Sequence, residues 1–135
     1  MNFYFKPSIE FFDLVINHPS VRPTAQQGTH PLSSEELLSN PENIAVAGVG
    51  GVVLFVAKGN GVYQGHIFAL EASRGRQALH LGEVAIQRLK EAPGVRKLVA
   101  SVPMQLPAAR DYCRRLGLKP EGRDLFDEHF SMEIL

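Results

Sequence analysis

The apolar positions change period several times along the chain, and each change predicts where one element ends and the next begins. Phe3 and Phe5 flank Tyr4 in a strand-like opening that stops at Pro7. Ser8 can cap a helix from Ile9 to about Asn17, with Ile9, Phe12 and Ile16 spaced to share one face. His18-Pro19 ends it, because the residue before a proline is driven out of the α region. Val21 to Pro31, with its prolines and a glycine, reads as a long loop. Ser33 and Glu36 make a capping box for a short helix to Ser39 that stops before Pro41.

A block rich in Val, Ile and Phe follows. Ile44 to Val49, Val52 to Lys58 and Val62 to Leu70 predict three antiparallel strands, joined by turns at Gly50-Gly51 and Gly59-Asn60-Gly61. Arg76 to Glu91 has the clearest helical period, with Ala78, Leu81, Ala85 and Leu89 on one stripe and Pro93-Gly94 as its stop. Val95 to Val102 predicts another strand. Pro107 to Leu116 predicts a helix with proline in its first turn and Gly117 just beyond its end. The tail, Gly122 to Leu135, alternates as two short strands around Asp127-Glu128.

The expected order is β-α-α-β-β-β-α-β-α-β-β, an α+β arrangement without internal repeat or linker. A length of 135 residues suits one domain spanning 1–135. Hydrophobic residues at 44% and charged residues at 21% are globular values, which excludes long disorder. Fourteen basic residues balance fourteen acidic ones, so no net field draws the chain to nucleic acid or to an anionic membrane. Cys113 is the single cysteine, which rules out an internal disulfide and fits a reducing compartment. No apolar run approaches the ~20 residues that span a bilayer. Met1 to Lys6 lacks the basic start and cleavage site of a signal peptide, so the expected location is the cytoplasm.

The stretch from His66 through Phe68, Ala69 and Leu70 into Glu71-Ala72-Ser73-Arg74-Gly75-Arg76-Gln77-Ala78-Leu79 is strand, polar loop and long helix. A helix N-terminus carries unpaired N–H groups and partial positive charge, which suits a phosphate. Gly75 lets backbone approach a ligand, and Arg74 and Arg76 add charge. The same fragment can equally be a solvated turn with two surface arginines.

The order of elements, the Arg-Gly loop and the run Ala109-Arg110-Asp111-Tyr112-Cys113-Arg114-Arg115-Leu116-Gly117-Leu118 together resemble the GNAT superfamily of N-acetyltransferases over nearly the whole chain. Gly61-Val62-Tyr63-Gln64-Gly65-His66 followed by Arg74-Gly75 is similar to compact, phage-encoded members. The resemblance implies an α/β sandwich with a mixed, mostly antiparallel central sheet, in which the fourth and fifth strands splay. It implies acetyl-CoA as co-substrate, held by Phe68, Ala69, Leu70, Arg74, Gly75, Arg76, Gln77, Ala78, Leu79, Leu106 and Ala109, and no metal. The activity implied is direct acyl transfer to an amine, on a small molecule or a protein, by a monomer or homodimer. The alternative is a GNAT-like domain that binds coenzyme A or a protein partner without catalysis.

Four positions depart from the family pattern. Gln77 and Leu79 stand where it has glycines, Leu106 where it often has a capping asparagine, and Cys113 where it often has an acid tyrosine. Tyr112 is one residue away, a turn of about 100° on a helix.

An amine with a pKa near ~10 must lose a proton before attack on the thioester. His66 is the expected base, with a core histidine as the other reading, and Glu71 is the second candidate. Cys113 and Tyr112 are the candidates for the acid toward the leaving thiolate, with core packing the favoured reading of both. His18, His30, His80 and His129 show no ligand-like spacing. The resemblance implies an acceptor pocket between the region Asn17 to His30 and the tail around Arg123 to Phe130, while Arg22, Gln26, Gln27 and His30 read more simply as residues that solvate a loop.

Overall fold

A computed structural model describes residues 4–16, 34–48, 51–69 and 75–134. Phe3, the Asn17 to His30 region, the Ser33 cap, Gly50, Leu70, Glu71 and Arg74 lie outside the described residues. Among the described residues, four helices and six strands follow in order: α1 (Ile9–Ile16), α2 (Ser34–Ser39), β1 (Ile44–Gly48), β2 (Gly51–Gly59), β3 (Val62–Ala69), α3 (Arg76–Glu91), β4 (Lys97–Pro103), α4 (Pro107–Arg115), β5 (Lys119–Arg123) and β6 (Asp127–Glu133). The opening strand is reduced to one bridge, Phe5 to Ala47.

One sheet runs β1-β2-β3-β4-β6-β5. Every pairing is antiparallel except β3 with β4, which run parallel. The alternation of side chains along each strand gives two apolar faces. Val46, Val53, Phe55, Leu98 and Phe130 meet Leu81, Ala85 and Leu89 of α3 and Cys113 of α4. On the other face Ala47, Val52, Leu54 and Phe68 meet Phe12 and Val15 of α1.

The expected stripe of α3 is buried at all four positions, Ala78, Leu81, Ala85 and Leu89. That of α1 differs. Phe12 and Val15 are buried while Ile9 is 41% exposed, because the helix turns its Phe12–Val15 side to Phe68 and Val52. The tail also differs from its expected boundaries. The hairpin turns at Asp124–Phe126, and Asp127 and Glu128 lie inside β6. Asp124 makes that turn by accepting the N–H groups of Phe126 and Asp127 at 2.8 and 2.7 Å.

Glu128 reads as a turn residue by type yet is only 3% exposed. Arg114 reaches both its oxygens at 3.0 Å, Arg110 stands at 3.5 Å and Arg123 at 3.7 Å. The Arg114 guanidinium also lies 5.3 Å from the Phe130 ring centroid. A carboxylate can stay charged out of water only with such partners, and here they fasten α4 to the sheet. Among the described residues, no helix is long and apolar enough to cross a membrane.

Candidate active site

Parallel strands β3 and β4 pair only at their beginnings, Val62, Tyr63 and Gln64 against Lys97, Leu98 and Val99. Beyond that, Gly65–Ala69 continues against β2 alone and Ala100–Pro103 against β6 alone. The two strands therefore splay. Their facing backbone edges line a wedge whose apex lies at Gln64 and Val99, and whose mouth, five residues on along β3, is about 17 Å away. Helix α3 is the next element after β3 in the chain.

Gly75 is the N-cap of helix α3 and has φ +91°, and a Cβ added there would meet nothing within 4 Å among the described residues. Gly75 itself has no side chain with which to cap this end. The first helical bond runs from the Leu79 N–H to the Gly75 carbonyl at 2.9 Å, so the N–H groups of Arg76, Gln77 and Ala78 precede it. Leu79 thus drops out of the expected phosphate cradle as a donor. Arg76 and Gln77 are exposed around the remaining three.

His66 sits two residues past the apex on the α1 side of the sheet, opposite Leu54 of β2. Its ring stacks on Phe68, 6.4 Å between centroids and 13° between planes. The residue is exposed, but enough of the sheet lies against the imidazole that desolvation holds its pKa below the ordinary value, with the Lys58 ammonium pushing the same way. A histidine so placed is neutral at pH 7 and able to accept a proton.

The two candidate acids lie on the opposite, helix-covered side. The Tyr112 hydroxyl donates to the Ala78 carbonyl at 2.5 Å, and burial, then the neighbouring Cys113 thiol, holds the phenol well above its usual pKa. Gly82 makes room for that ring, since a Cβ there would collide with the hydroxyl. Cys113 is buried in the α3/α4 core, and burial pushes its thiol up to about 11. Phe68 is buried against α1, and only its backbone and that of Ala69 reach the wedge. Leu106 and Ala109 pack on the α3/α4 core. Leu106 occupies the N-cap of α4 and makes no side-chain cap bond, as a leucine must.

One group was not visible from the sequence. Ser101 and His129 are cross-strand partners on β4 and β6. Ser101 Oγ and His129 Nδ1 stand 2.9 Å apart, and His129 Nε2 donates to Asp124 Oδ2 at 2.9 Å. The Asp127 and Phe126 N–H groups, with His129, hold the Asp124 carboxyl down to about 2, so it is ionised at neutral pH. Extending the Gln64–Val99 register by two residues sets Ser101 opposite His66, on the same sheet face. Among the described residues, no group of three or more His, Cys, Asp or Glu side chains could hold a metal ion.

No family model matches the sequence, and no curated protein matches it. Solved structures do match in fold. An acetyltransferase of the GNAT family from Streptococcus pneumoniae superposes with a TM-score of 0.74 at 16% identity, covering 97% of this chain and 98% of that one. Spermidine N-acetyltransferase from Vibrio cholerae, in complex with CoA and spermine, gives 0.72 at 13% identity over 97% and 94%. A GNAT superfamily phosphinothricin acetyltransferase from Sinorhizobium meliloti, in complex with AcCoA, gives 0.73 at 15% identity over 97% and 87%. The chain has the GNAT fold.

Proposed function

We propose that the protein is an acyl-CoA-dependent N-acyltransferase, with acetyl-CoA as donor and an amine as acceptor, joined in one ternary complex. The observation that carries this reading is the wedge between β3 and β4, open from Gly65 and Ala100 onward, with α3 as the next element after β3 and three N–H groups ahead of its first helical bond. A pantetheine arm fits such a wedge, because the strand edge offers it amide partners. The N–H groups of Arg76, Gln77 and Ala78 suit the pyrophosphate, with Arg76 beside them and Arg74 just ahead in sequence. The side chain of Gln77 departs from the glycine of the family pattern but points into an exposed region rather than the core.

With its diphosphate at the mouth, an extended arm brings the thioester toward the apex, beside His66. Helices α3 and α4 cover one side of the sheet there, so the acceptor reaches the thioester from the α1 side. His66 takes the amine proton, directly or through one water, as nitrogen attacks the acyl carbon. Fold relatives solved with CoA and spermine, or with AcCoA, support both the donor and a small amine as acceptor. A protein amine is the other acceptor class. The sequence-level expectation of one domain, monomeric or homodimeric and cytoplasmic, belongs to the same reading.

The test is a thiol-release assay with acetyl-CoA and three amines: spermine, a free amino acid and a lysine peptide. Amine-dependent release with an N-acetylated product is expected. A melting temperature raised by both acetyl-CoA and desulfo-CoA, without transfer to any of the three, would favour the non-catalytic binding domain instead.

A further inference from the structure

We propose that Ser101 is the acid that protonates the departing coenzyme thiolate, and that His129 and Asp124 supply and hold its proton. This rests on the acyltransfer reading and adds to it a part that neither Tyr112 nor Cys113 fills. Tyr112 donates its hydroxyl to Ala78 on the far side of the sheet, and Cys113 is buried there. Ser101 instead lies on the bank of the wedge opposite His66, in matching register past the apex.

The geometry orders the protons. Asp124 is fixed by two backbone N–H groups and stays ionised, so it accepts from His129 Nε2 and holds the ring with Nδ1 toward Ser101. Gly122 stands opposite His129 on β5 and brings no charge of its own. With His129 protonated, Nδ1–H donates to Ser101 Oγ and leaves the serine O–H free to turn toward sulfur. As the amine nitrogen bonds to the acyl carbon, the C–S bond breaks and its electron pair goes to sulfur. The amine proton passes to a ring nitrogen of His66. The thiolate takes the Ser101 hydroxyl proton in the same step as His129 Nδ1–H passes its own to Ser101 Oγ, so no free alkoxide forms and the proton spent is the imidazolium's. His129 is 43% exposed and regains its proton from solvent. His66, which is exposed, gives the amine proton up to solvent, so one proton leaves for the one His129 takes in, and nothing is oxidised or reduced.

Ser101 is the catalytic residue here, and His129 and Asp124 are positioning residues. In the full chain, Ser101→Ala and His129→Gln are expected to lower kcat by ~10²-fold, with acetyl-CoA affinity and melting temperature unchanged. Ser101→Thr, which keeps a hydroxyl, should recover most of the rate. The decisive readout is leaving-group dependence. S-phenyl thioacetate releases a far more acidic thiol that needs no acid, so the ratio of wild-type to Ser101→Ala rate should collapse toward one with this donor. Equal losses with acetyl-CoA and S-phenyl thioacetate would overturn the proposal, since a merely structural serine slows both. Full activity of Ser101→Ala with acetyl-CoA would overturn it while leaving acyltransfer intact. Absence of any acetyl-CoA-dependent rise in the wild-type melting temperature would remove acyltransfer and the relay together.

Discussion

His66 and Ser101 occupy matching positions on two parallel strands that have stopped pairing, each two residues beyond the last partners, Gln64 and Val99. Both side chains lie on the α1 side of the sheet, one on each bank of the wedge. A bond broken between them would have a proton acceptor on one side and a proton donor on the other.

His66→Gln is expected to keep coenzyme affinity and melting temperature while lowering the transfer rate by ~10²–10⁴-fold. The wild-type rate should fall as pH drops through a single pKa lying below the ordinary histidine value, and that limb should vanish in the variant. The stability effect has a definite sign. The unfolded chain protonates His66 at a higher pH than the folded one does, so this residue destabilises the fold as pH falls below about 6.5. Rate profiles and melting curves on the same pair of proteins check both.

Glu128→Ala should destabilise the fold from outside the apolar core. It leaves Arg110 and Arg114 without their carboxylate, but both side chains are partly exposed and regain water, so the loss is about 1–3 kcal/mol. Chemical denaturation should show the midpoint falling with little change in slope. A loss below about 1 kcal/mol would mean that the arginines find other partners.

Tyr112→Phe separates packing from acid catalysis. Removing the hydroxyl leaves the Ala78 carbonyl without this partner, for about 1–3 kcal/mol of stability. The rate per folded molecule should stay within a few-fold of wild type. A ~10²-fold loss at unchanged stability would return the acid role to Tyr112.

Cys113 should resist alkylation in the native protein, because its thiol is buried and its pKa stands at about 11. Iodoacetamide at neutral pH should label it only after denaturant is added. Rapid native labelling would place the thiol at an accessible site.

Much of the fold is legible in the sequence where local signals agree. The α3 boundaries follow from a sustained helical period, a basic last turn and Pro93-Gly94. The β2–β3 hairpin follows from Gly59-Asn60-Gly61. Where a residue's type and its surroundings disagree, the sequence misleads. Asp127-Glu128 has the polarity of a turn, yet Glu128 is buried because arginines 14 and 18 positions earlier on α4 meet it across the fold. The Ser101–His129–Asp124 group is invisible for the same reason. Its first two members lie 28 positions apart and become neighbours only through the register of β4 with β6. His66 was readable as a candidate because strand, loop and helix follow it directly. Its surroundings were not, because they come from Lys58 and Leu54 on the neighbouring strand.

The location of the donor is tested most directly by following backbone amide chemical shifts as acetyl-CoA is added. Saturable shifts are expected together at Gly65–Ala69, Ala100–Val102 and Arg76–Ala78, the two banks of the wedge and the first turn of α3. Shifts absent from these three segments at saturating acetyl-CoA, or confined to another part of the sheet, would contradict a coenzyme held between β3 and β4.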